Sequence, residues 1–191
     1  SDCLVGSEMC IRDRLMTLDQ QLRLIRVAAT LGAHTLRLTG GEPLLSQRLL
    51  PLLEAVSRGR STPGDPMRGL RHIALTTNGV LLTPNRARLL RAAGLDRITI
   101  SLDAVDGSVA ARMAGLHGGQ AAGERLVRQV IDGVMSAKLA GFVAEQGEIK
   151  LNAVIKKGEY DTQWLRLAAA GMCGLRGGQA AGERLVRQVI D

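Results

Sequence analysis

Four times in this chain a short apolar run stops in a small polar cluster and gives way to a helical pattern. The runs are residues 34–39, His72–Leu75, Arg97–Ile100 and Glu148–Ile155. The first three end in Gly40-Gly41-Glu42-Pro43, Thr76-Thr77-Asn78-Gly79 and Ser101-Leu102-Asp103. A leading helix is capped by Thr17, carries Leu18, Leu22, Ile25 and Ala29 on one face, and stops at Gly32. Further helical patterns cover residues 46–58, with Pro51 in the first turn, then 84–92, 123–140 and 161–170. The long one at 123–140 is amphipathic through Leu126, Val127, Val130, Ile131, Val134 and Leu139, and residues 59–71 read as an extended Pro/Gly loop. Short strands alternating with helices predict parallel, buried strands joined by right-handed crossovers. The fold class is therefore α/β: a partial (β/α) TIM-like barrel with four βα units present.

In such a sheet the C-terminal ends of the strands share one face, which is where α/β folds place ligands. Three polar clusters fall there, although each alone is also what a turn or a helix cap looks like. Gly40 and Gly41 suit a loop that a ligand approaches closely. Arg37 lies inside an apolar strand, where an unpaired charge would be unfavourable, so a site role is expected of it.

Composition narrows the partner class. With one Trp, one Tyr and one Phe in 191 residues, Leu, Ala, Val and Ile must pack the core. The net charge of +7 fits either a solvated arginine-rich surface or a site for a polyanion such as nucleotide phosphates. Nucleic acid is disfavoured, because there is no basic tract and almost nothing to stack on bases. No apolar run spans a bilayer, so no membrane role is expected and a cytoplasmic protein is the default. Cys3, Cys10 and Cys173 are too widely spaced for a disulfide framework or a zinc site.

Two segments sit outside this pattern. Residues 1–15 show no period and are expected to be a non-native tail that resembles a translated sequencing adapter. Residues 118–132, GGQAAGERLVRQVID, recur unchanged at 177–191, including at surface positions that no packing constraint would hold. The first copy fills the slot between the third and fourth strands, and the second reads as an assembly duplication. The expected organisation is thus a tail (1–15), a partial barrel (16–172) and a duplicated segment (173–191).

LRLTGGEP, ALTTNG, ITISLDAVD and IKLNAVI, in this order and at these intervals, resemble the radical S-adenosylmethionine (SAM) enzymes. The likeness is to the GTP 3′,8-cyclase branch, which opens molybdenum cofactor biosynthesis, and it runs from about Met16 to Trp164. The resemblance implies a radical SAM lyase that turns GTP into a cyclic pyranopterin precursor, and it allows a homodimer in the complete enzyme. It implies that Gly40, Gly41, Glu42 and Ser101 meet SAM, and that Arg37, Thr76 and Lys150 meet GTP.

The chain also departs from the family pattern. The family holds a [4Fe–4S] cluster in a CxxxCxxC loop after its first strand; Cys3 and Cys10, with six residues between them and no strand before them, do not match. A distal cysteine set is not supplied by Cys173 alone, and Thr35 stands where a lysine often precedes the arginine. No catalytic residue or metal ligand is therefore assigned. A fragment without turnover is expected, and a fragment of a peptide-modifying radical SAM enzyme or a truncated barrel with no function are the alternatives.

Overall fold

The computed structural model describes residues 16–154. The expected tail, the helix at 161–170, the second repeat copy and all three cysteines lie outside these residues.

Four parallel strands form one sheet in the order β1-β2-β3-β4: Thr35–Leu38, His72–Thr77, Arg97–Ser101 and Ile149–Asn152. Each follows a helix or a helical pair. Helix α1 (Leu18–Thr30) starts at a capping box in which Thr17 Oγ1 accepts from the Gln20 N–H and the Gln20 side chain accepts from the Thr17 N–H. Helix α2 (Leu49–Ser61) begins three residues later than the sequence pattern predicts and has Pro51 in its first turn, where no amide donor is needed. Helix α3 (Pro84–Ala92) starts on Thr83, whose hydroxyl accepts from the Arg86 N–H. A short helix that the sequence reading does not predict, α4 (Gly107–Met113), starts on Asp106, whose carboxylate accepts from Ser108 and Val109 N–H. It packs on the long helix α5 (Gly119–Leu139).

The expected long loop at 59–71 is only partly a loop. Helix α2 continues to Ser61, and Pro66–Gly69 forms a 3-10 turn that buries Met67 against Gly59. Helix α5 also packs differently from its apolar pattern. Ile131 and Leu139 are exposed, whereas Gly123, Val127, Val130, Gly133 and Ala137 are buried. The small residues face inward because the backbones come close. A Cβ at Gly123 would collide with the Gly107 carbonyl, and one at Gly133 with the Gly79 carbonyl.

The core lies on one face of the sheet. Ile73, Leu75, Ile98 and Ile100 are fully buried beneath Leu52, Leu53, Val56, Leu90 and Val130 of the helices. The expectation of buried strands holds for β2 and β3, but β1 and β4, at the two ends of the sheet, are largely exposed. Helices on one face of a sequentially ordered parallel sheet are the architecture of a (β/α) barrel, here carried through four strands. No described helix is long and apolar enough to cross a membrane.

Candidate functional site

Period-two alternation assigns every strand residue to a face, and the register carries that assignment from strand to strand. Arg37 pairs with Ala74, and Ala74 with Arg97. Thr76 pairs with Thr99, and Thr99 with Lys150. Ser101 pairs with Asn152. Arg37, Thr76, Ser101 and Lys150 therefore all stand on the face opposite the helix-covered core. With neighbouring strands about 4.8 Å apart, Thr76 and Lys150 are roughly 10 Å from each other across the sheet.

This placement changes the argument for Arg37. Its side chain incurs no desolvation cost among apolar residues, because it is exposed on the polar face. Its one hydrogen bond is a long one, from Nη1 to Thr76 Oγ1 at 3.5 Å. Lys150 is exposed and pairs with no described carboxylate. Arg97 lies 3.4 Å from His72 Nε2, and its charge also acts on the Glu148 carboxyl. The carboxylates that pair with arginines elsewhere (Asp65, Asp96 and Glu148) belong to none of the strands. Among the described strand residues this face thus carries three basic side chains and no acid, a field suited to an anion.

Five further polar side chains share the face and are given no role by the motifs: Thr35, His72, Arg97, Thr99 and Asn152. Their signal in the sequence is parity. They sit an even number of residues from Arg37, Thr76, Ser101 or Lys150, along strands whose alternating residues include Leu36, Ile73, Leu75, Ile98, Ile100 and Leu151.

The strand-end loops lie at the C-terminal ends of the strands. Gly40 has φ +155°, a conformation that L side chains rarely adopt, and no described atom lies within 4 Å of a Cβ built at Gly40 or Gly41. Glu42 closes the loop. Its Oε1 accepts from the Leu44 N–H at 3.0 Å and from the Thr77 hydroxyl at 2.7 Å, and its Oε2 accepts from the Asn78 N–H at 2.8 Å. The Ser101 hydroxyl makes no hydrogen bond to any described residue. Asp103 is engaged with the backbone, its Oδ1 accepting from the Val154 N–H at 2.9 Å. The structure therefore brings Arg37, Thr76, Ser101 and Lys150 to one face and sets Gly40, Gly41 and Glu42 at the C-terminal end of β1, tied to the end of β2.

Behind the site, Glu148 braces the start of β4. The Val143 N–H, and then the Arg91 guanidinium through its two hydrogen bonds to this carboxyl, hold it below the ordinary carboxylate range. Arg91 lies 4.8 Å above the Phe142 ring centre. Asp106 is held low by the Ser108 hydroxyl first and by the Val109 N–H second.

A parallel βα sheet with a Gly-Gly-Glu loop at its first strand end defines a class, and the comparison agrees. The chain belongs to the radical SAM superfamily, whose family profile matches residues 3–169. Among curated proteins it is similar to the GTP 3′,8-cyclase of Synechococcus sp. (strain WH7803), at 66% identity over 154 residues, and to that of Synechococcus sp. (strain CC9605), at 66% over 155 residues. Each match covers 81% of this chain but 44% and 45% of those proteins, so the chain spans less than half of their length. A radical SAM methyltransferase of known structure, TsrM from Kitasatospora setae, aligns at 20% identity with a TM-score of 0.49, over 84% of this chain and 29% of that one.

Proposed function

We propose that this chain carries the SAM and nucleotide half-sites of a GTP 3′,8-cyclase in molybdenum cofactor biosynthesis, working in the cytoplasm. The observation that carries the reading is the single polar face on which Arg37, Thr76, Ser101 and Lys150 converge with no strand carboxylate among them. A guanidinium and an ammonium group three strands apart match a ligand with several phosphates, and the Thr76 hydroxyl between them offers a hydrogen bond to a polar edge. Arg37 and Lys150 hold GTP by charge, and Thr76 orients it.

SAM fits the strand ends. Its amino group meets the remaining lone pair of Glu42 Oε2, its amino-acid backbone lies along Gly40 and Gly41, and the unengaged Ser101 hydroxyl reaches another of its polar groups. When bound and reductively cleaved, SAM supplies the radical that removes hydrogen from the ribose. The described residues contain no cysteine and no cluster of His, Cys, Asp and Glu able to hold a metal ion. Thiolates for an iron–sulfur cluster do not come from this part of the chain, whose share of the chemistry is to bind and orient.

Calorimetric titration of the chain with GTP, ATP and SAM tests the reading. GTP binding that Arg37→Ala and Lys150→Ala each weaken about tenfold is expected, the worth of one charge-assisted contact. Equal affinity in all three proteins would remove the nucleotide assignment.

A further inference from the structure

We propose that Thr77 is a positioning residue for the SAM loop: its buried hydroxyl holds Glu42, and through Glu42 it sets the shape of the Gly40–Gly41 turn. The inference rests on the reading of that loop as the SAM site. No motif assigns Thr77, since its neighbours Thr76 and Asn78 occupy the more exposed positions.

The hydrogen bonds leave the Thr77 hydroxyl one arrangement. Its oxygen accepts from the Gly79 N–H at 3.1 Å, so its only proton goes to Glu42 Oε1 at 2.7 Å. The Asn78 N–H, one residue on, donates to Glu42 Oε2 at 2.8 Å. Both oxygens of the carboxylate are thereby tied to the end of β2, while the Leu44 N–H, on its own side, fixes its rotation. Oε2 retains a lone pair that can face a ligand ammonium.

The anchor is tightly packed where the loop is not. Thr77 is 2% exposed. Gly79, at φ +78°, is wedged between Ile100 and α5, and its carbonyl fills the space that a side chain at Gly133 would need. The Gly40–Gly41 turn meets no such packing. Its position is set by what Glu42 holds, and removing the proton donor at Thr77 leaves a half-buried carboxylate with one partner fewer and a loop free to drift.

Thr77→Val keeps the shape and removes the hydroxyl, while Thr77→Ser restores it. In SAM titrations Thr77→Val should bind about tenfold more weakly than the parent, Thr77→Ser within about twofold of it, and GTP affinity should stay within about twofold in both. In amide hydrogen exchange, residues 39–46 should exchange faster in Thr77→Val alone. Parent-like SAM affinity and exchange in Thr77→Val would overturn the proposal. So would a Thr77→Ser as weak as Thr77→Val, because packing of the methyl would then be the cause. If the parent binds no SAM, the site reading falls by itself, and the exchange data still decide whether the hydroxyl sets the loop. Should Thr77→Val not fold, Glu42→Gln reads the lock from the other side. It sets an amide NH₂ against the Asn78 N–H, residues 76–80 should exchange faster, and unchanged exchange there overturns the lock.

Discussion

The two faces of one sheet divide the labour in this chain. Ile98 and Ile100 point into the helices and are fully buried, while Thr99 and Ser101, alternating with them along the same five-residue strand, line the polar face. On the first face, hydrophobic burial selects branched aliphatics and tolerates no polar atom without a partner. On the second, Arg37, Thr76 and Lys150 keep their polar groups for something other than the fold. Neighbouring residues can therefore differ completely in what their removal does, and the contrast is open to direct attack.

The largest effect is expected from Ile100→Ala. Emptying a fully buried aliphatic site costs about 2–5 kcal/mol, read as a drop in unfolding free energy in urea. Ser101→Ala, one residue on, should move stability by no more than about 0.5 kcal/mol while weakening SAM binding. Equal destabilisation by both would erase the distinction between the faces. Arg37→Ala should leave stability unchanged and weaken GTP binding about tenfold, about 1.4 kcal/mol, with the loss shrinking as salt rises.

Gly133→Ala probes how firmly the core face supports the strand ends. The new methyl would collide with the Gly79 carbonyl, so a loss of about 1–3 kcal/mol is expected, together with faster amide exchange at residues 76–80. The smallest effect concerns pH. The carboxyl of Glu148 titrates below its ordinary value of 4.5 in the folded chain, so its contribution is fully present above that pH and is lost as the pH falls through the lower, folded-state value. A melting-temperature profile should therefore fall less steeply on the acid side in Glu148→Gln than in the parent. Parallel profiles would show that the Val143 and Arg91 contacts add nothing to folding.

Much of this molecule is legible in one dimension. Periodicity places α1, α3 and the four strands, because a core-facing stripe must repeat at the spacing of its backbone. The start of α2 is misplaced because residues 43–45 form a separate 3-10 turn, capped by Glu42, ahead of the helix. Helix α4 escapes notice because its inner face is Gly107, Ala110 and Ala111, too small to register as an apolar stripe. Ile131 and Leu139 mislead in the opposite direction, being apolar but exposed.

By itself the sequence determined the βα order, the polar strand ends and, through its motifs, the superfamily. These are local signals, carried by a few adjacent residues. What only the tertiary structure decided is which residues meet. The register of four strands puts Arg37, 113 residues before Lys150 in the chain, on the same face as that lysine, and it ties Glu42 to Thr77 and Asn78 across 35 and 36 residues. Hydrogen bonds between strands and the close packing of α5 make those choices, because register and backbone approach depend on distant partners that no local pattern encodes.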